Sequence, residues 1–97
     1  MIAYAIEYEP GELWTPGKPM YMQPIHDHAR YQESLYQRGI MLASGPYKSR
    51  DGGLLVLQAE SLEQARQILL EDPAIQKKIM RGSVTEWQIV RGRFLGE

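Results

Sequence analysis

Cysteine is absent from the 97 residues, and histidine occurs only twice, at His26 and His28. The first absence excludes disulfides, thiolate nucleophiles and cysteine-based zinc sites, and it fits a reducing compartment. No charge of one sign dominates either: eleven lysines and arginines stand against twelve aspartates and glutamates, for a net charge of −1. A nucleic-acid partner would call for a basic stripe. The nearest approach to one, Gln76 to Arg81, reads as a solvated helix face. No apolar run nears the roughly 20 residues needed to cross a bilayer. The opening MIAYAIE lacks the basic start and apolar stretch of a signal peptide. Also missing are a Gly-rich phosphate loop, a nucleophile elbow and a carboxylate cluster for calcium or magnesium. The expectation is a cytoplasmic protein with no nucleic-acid or membrane partner, no metal and no cofactor.

What is present suits one small globular domain over residues 1–97. A hydrophobic fraction of 43% is too high for a disordered chain. A core of this size is marginal by itself, which leaves room for dimerisation to bury more surface. Residues 2–8, IAYAIEY, alternate Ile2, Tyr4, Ile6 and Tyr8 against Ala3, Ala5 and Glu7, the period of a strand. From Glu9 to Pro24 come four prolines, two glycines, Trp14 and Tyr21, with no regular period. A loop this long is either a functional lid or an arm that packs Trp14 and Met20 against the body. Pro24 then suits a first helical turn, and Gly39 suits a left-handed cap.

Ile40 to Tyr47 reads as a second strand, Asp51-Gly52-Gly53 as a hairpin turn, and Leu54 to Gln58 as a third strand. In SLEQARQILL, Ser61 precedes Gln64 by three residues, a capping box. The stripe Leu62, Ala65, Ile68 and Leu69 gives that helix its buried side. Asp72-Pro73 then opens a short helix with Asp72 as N-cap and Ile75 and Ile79 facing inward. Ser83 to Val90 alternates as a fourth strand, and Phe94 and Leu95 are candidate anchors in the tail. The order βαββαβ predicts an α+β, ferredoxin-like fold: a four-stranded antiparallel sheet with its helices on one face. The other face has no cover within the chain and few polar residues, so a homodimer through that face is expected.

In the first helix, positions 25, 28, 29, 32, 35 and 36 share one stripe, and 26, 30, 33 and 37 the opposite one. His26 therefore belongs to the charged face, while His28 points with the apolar residues toward the sheet. Histidines two apart on a helix make a poor metal pair. His28 has two readings: a packed core residue, or a neutral imidazole acting in acid–base chemistry at a helix N-terminus. The second needs a partner to hold its tautomer. Asp72 is the candidate, and its capping role is compatible with that one. Tyr31, one turn on, could line the same pocket, whereas Tyr36 reads as core. Ser44 and Gly45 end the second strand, either as a simple stop or as a place where a small-molecule ligand approaches the backbone.

The run HARYQESLYQRGIMLASGP resembles the helix-and-strand signature of the YciI-like family, and SLEQARQILLEDPAI resembles that family's second signature. The spacing from His28 through Gly39 to Gly45-Pro46 fits without a gap, and the likeness covers nearly the whole chain. Aligning His26 instead would turn the rest of the helix by about 200°. One departure is Ile25, where many members carry Arg. The resemblance implies a dimeric α/β barrel, related in fold to muconolactone isomerase, with a cleft centred on His28 and Asp72. It further implies a cofactor-independent lyase or isomerase acting on small oxygenated cyclic or aromatic compounds. Trp14, Tyr31, Ser44 and Gly45 are then candidate substrate-binding residues. The alternative is a non-enzymatic ligand-binding or assembly module of the same fold.

Overall fold

The computed structural model describes residues 1–93, so the expected anchors Phe94 and Leu95 lie outside the described residues. Its elements are β1 (Ile2–Pro10), α1 (His26–Gln37), β2 (Met41–Pro46), β3 (Gly53–Leu57), α2 (Leu62–Leu70), α3 (Pro73–Gln76) and β4 (Met80–Gln88). The strands form one sheet in the order β2-β3-β1-β4, antiparallel at every pairing. This is the expected α+β arrangement.

The period of two in β1 sorts its side chains as read. Tyr4, Ile6 and Tyr8 enter the main core, where Leu35 of α1, Ala65 and Leu69 of α2 and Ala74 of α3 meet them. Register sets Leu57 beside Tyr4 and Leu55 beside Ile6, which makes that layer continuous. Leu35, Leu55 and Leu57 are fully buried, and each such side chain contributes about 1.5–3 kcal/mol. On the opposite face Ala3, Val56 and Ile89 form a smaller cluster with Leu42, which a register shift between Met41 and Ala43 inserts as an extra residue. Leu54 and Trp87 stand on the same open face and are 37% and 46% exposed.

Three sequence expectations are corrected here. Pro24 lies before α1 and not in its first turn; the helix begins at His26, with the Ile25 carbonyl accepting the Ala29 N–H. The cause is the preceding 3-10 turn at Met20–Met22, after which Gln23 is still extended. Tyr36 is 60% exposed, because fully buried Leu35 occupies the centre of the core stripe and the next residue is rotated off it. The fourth strand starts at Met80, earlier than Ser83, because β1 extends to Pro10 and pairs with it there.

The close of α1 follows the sequence signal. Gly39 is left-handed at φ 74°, and the Ile40 N–H reaches the Leu35 carbonyl at 2.9 Å while that of Gly39 reaches Tyr36 at 3.0 Å, a Schellman ending. In the long loop Gln23 acts as a clamp. Its side-chain oxygen accepts from the Thr15 N–H at 2.8 Å, and its amide nitrogen donates to the carbonyls of Thr15 (3.0 Å) and Lys18 (2.8 Å). Those bonds hold the segment that carries Met20 and Tyr21 over the N-terminal end of α1.

Candidate active site

Helical phase turns His28 inward from the second position after the start of α1, and its ring is buried. Asp72 comes from the junction of α2 and α3. It is an N-cap in fact: its Oδ1 accepts the Ala74 N–H at 2.9 Å, and Pro73 follows at the first helical position. The cap has no exposure to solvent, and its carboxylate does more than end a helix. His28 Nδ1 lies 2.9 Å from Oδ1 and 2.8 Å from Oδ2, and the Tyr8 hydroxyl donates to Oδ2 at 2.9 Å.

Those contacts decide the tautomer. An ionised carboxylate only accepts, so Nδ1 carries a proton and donates it to Asp72. The other ring nitrogen, Nε2, makes no hydrogen bond within the described residues, and none of their buried side-chain nitrogens or oxygens is left unpaired. Nε2 is therefore on the solvent-reachable edge of the ring. That edge borders an open cleft of about 730 Å3, walled by Pro19, Met20, Ile25, Gln32, Pro46 and the hairpin loop from Tyr47 to Gly52.

Tyr8 is the member of this site that the sequence did not announce. Its ring meets the His28 ring edge-to-face at 5.4 Å between centroids and 77° between planes, a favourable aromatic geometry. Only the strand alternation that placed Tyr8 on the helix side could have pointed to it. Burial pushes its phenol well above the ordinary value of 10.0, and the charge of Asp72 and the bond to it push further. Tyr31 is pushed up to about 12, first by burial and then by Glu71 and Asp72. Below pH 10 both phenols keep their protons in folded and unfolded chains alike. As pH rises from 10 toward 12 the unfolded chain loses protons that the folded chain retains, so stability falls. In a combined absorbance and circular dichroism titration, Tyr8 should ionise only as the fold is lost. Ionisation of that ring near pH 10 in a folded protein would contradict its burial against Asp72.

The candidate residues separate into three groups. His28 and Asp72 meet at hydrogen-bond distance. Gly45 lines a recess of about 60 Å3 together with Tyr8, His28 and Gln32, and the Ser44 hydroxyl lies 3.4 Å from the Gln32 side-chain oxygen, at the exposed rim. Trp14 and Tyr31, expected on the pocket wall, are not on it. Trp14 is packed into the main core, since the loop is pinned to the α3–β4 junction by Gly11 N–H to Ile79 O and Leu13 N–H to Lys78 O. The Tyr31 hydroxyl is spent on the Ile68 carbonyl at 2.6 Å and ties α1 to α2. His26 is exposed as its stripe requires, and between the histidines Asp27 pairs with Lys77 at 2.7 Å, which holds its carboxyl below the usual range.

A four-stranded antiparallel sheet, helices on one face and a buried His–Asp pair at the wall of a cleft define a small ferredoxin-like protein with a candidate acid–base site. The YCII-related domain model matches residues 3–91, and the chain belongs to that family. No curated protein matches the chain. Its fold is similar to that of the 5-chloro-2-hydroxyhydroquinone dehydrochlorinase of Burkholderia phenoliruptrix AC1100, solved in complex with 2,5-dihydroxybenzoquinone. The TM-score is 0.61 at 19% identity, over 94% of this chain and 97% of that one. Among the described residues no helix is long and apolar enough to cross a membrane.

Proposed function

We propose that the protein is a small cytoplasmic enzyme, a cofactor-independent lyase or isomerase, in which His28 moves a proton on a small oxygenated cyclic or aromatic compound. The observation that carries this reading is the division of labour in the imidazole. Nδ1 is bound to buried Asp72, and Nε2 is free at the cleft wall. A base so placed takes a proton from carbon or oxygen, and the carboxylate behind it stabilises the imidazolium that results. The same proton is returned in an isomerisation or leaves with the departing group in an elimination, so the step needs no redox partner. The cleft has apolar walls from Pro19, Met20, Ile25 and Pro46, suited to the faces of a ring. The fold likeness to a dehydrochlorinase of a hydroxyhydroquinone adds support for that class of compound.

The test is a panel of hydroxylated and chlorinated hydroquinones and quinones, followed by absorbance and chloride release, with wild-type protein beside His28→Gln. Turnover that depends on His28 is the expected result. Binding without turnover, equal in both proteins, would assign the chain to ligand binding and not to catalysis.

We further propose that a second copy of the chain covers the open sheet face and closes a dimeric α/β barrel. Ala3, Ala5, Ala43, Leu54, Val56 and Trp87 share that face by register, and a small core gains most from covering it. Sedimentation should give twice the chain mass for the wild type and a monomer for Trp87→Glu. A monomeric wild type at micromolar concentration would refute the pairing.

A further inference from the structure

Position 32 breaks the pattern of the helix face it belongs to. On the inward stripe of α1, Ile25, Ala29 and Leu35 are apolar, and only His28 and Gln32 are polar. Gln32 is half-buried there, and an amide withdrawn from water needs partners. It follows His28 by four residues, one turn on, with roughly 5–6 Å between the two Cβ atoms. Both side chains border the open cleft, and both border the recess of about 60 Å3 beside Tyr8. The imidazole and the amide thus share two cavities.

The two ends of the amide are used differently. Its oxygen is 3.4 Å from the Ser44 hydroxyl. Ser44 pairs with buried Leu55 across the sheet, and that register turns it to the helix side. The oxygen is therefore directed to the rim. The nitrogen lies toward the recess: Gln32 acts on the Tyr8 phenol as an N–H near its oxygen does, against the upward push of burial. Tyr8 gives its own hydrogen to Asp72, so it presents an acceptor to Gln32. An amide carries two N–H donors; the phenol oxygen takes one, and the other is left for a guest. A cavity of about 150 Å3 is what admits a benzene ring. The recess of about 60 Å3 therefore admits a ring substituent, and the ring itself has room only in the wider cleft.

We infer that Gln32 is a specificity-determining residue: its inward N–H receives an accepting oxygen on the edge of a ring compound, a carbonyl above all, in the recess beside His28. This rests on the reading of the His28 cleft as a ligand site. The chemistry is coherent with it. When Nε2 takes a proton from a carbon next to a carbonyl, the C–H electron pair forms a C=C bond and the carbonyl pair moves to oxygen as an enolate. An amide N–H held at that oxygen stabilises the charge. A methyl group in the same place leaves the donor unpaired.

The experiment uses acetophenone and α-methylstyrene, equal in shape, with C=O in one and C=CH2 in the other. Each is titrated into isotopically labelled full-length protein at pH 8, and the His28 ring signals report occupancy of the cleft. The readout is the ratio of the two dissociation constants, compared between proteins so that the differing hydrophobicity of the probes cancels. Gln32→Met, similar in volume and without a donor, should lower the relative affinity for acetophenone about threefold to tenfold, the worth of one neutral hydrogen bond. Gln32→Glu keeps the shape and an oxygen for Ser44 but has no N–H, and it should lose at least as much. Affinity for α-methylstyrene should be nearly unchanged, which checks that each variant keeps the fold and the cleft. A ratio unaltered in both variants overturns the assignment of Gln32 and leaves the cleft standing. If neither compound moves the His28 signals at any concentration, the cleft is not a ligand site for rings, and both readings fall.

Discussion

Asp72→Ala should lower the unfolding free energy by about 3–5 kcal/mol, the cost of breaking a buried polar network from the side of its shared acceptor. The carboxylate serves three donors at once: the Tyr8 hydroxyl, His28 Nδ1 and the Ala74 N–H. Alanine leaves all three facing apolar surroundings, and the Ala74 N–H among them is the N-cap bond of α3, whose loss is part of that cost. Against a total stability of about 5–15 kcal/mol this is a large fraction. Asp72→Asn separates the causes. Its amide keeps the volume and one acceptor oxygen but sets an NH2 against a second donor, so it should be less harmful than alanine and still destabilising. Urea denaturation of the three proteins, with midpoints compared at equal slope, decides the matter. A loss below about 1 kcal/mol for the alanine variant would mean the network is not closed as described.

His28→Gln carries the largest expected effect on activity, a fall of about 10²–10⁴-fold in kcat/KM on whichever substrate the panel yields, the usual contribution of a general acid or base. Glutamine can still donate to Asp72 from its amide, so the fold should be little changed. It has no basic nitrogen to offer the cleft. The loss should therefore appear in kcat with KM nearly constant, because a group that moves a proton acts in the transition state and not in binding. His26→Gln, on the solvated side of α1, is the matched control and should leave turnover unaltered. A His28→Gln enzyme within threefold of the wild type would remove the imidazole from the mechanism.

The two histidines illustrate how much of the site was legible. A 3.6-residue period by itself separates His26 from His28, because phase along a helix depends only on spacing. Asp72 was recognisable as a cap from the Asp-Pro pair alone. Its pairing with His28 was a candidate and no more, since a separation of 44 residues says nothing about distance in space. Trp14 shows the limit from the other side. A loop rich in proline and aromatics is as consistent with an arm as with a lid. Backbone bonds from Gly11 and Leu13 to the strand-β4 approach selected the arm, with Met20 and Tyr21 left at the cleft.

Local rules written in the chain were enough for the order of elements, the side of each strand and helix that turns inward, the Gly39 stop and the Asp72 cap, because each depends on residues within a few positions of one another. The tertiary structure alone decided that Tyr8, His28 and the Asp72 cap converge, that Trp14 and Tyr31 are used for packing and tethering, and that the hairpin loop from Tyr47 to Gly52 walls the cleft. Those outcomes depend on strand order and on how two helices settle over one sheet, where contacts between distant segments compete and only the packed chain resolves them.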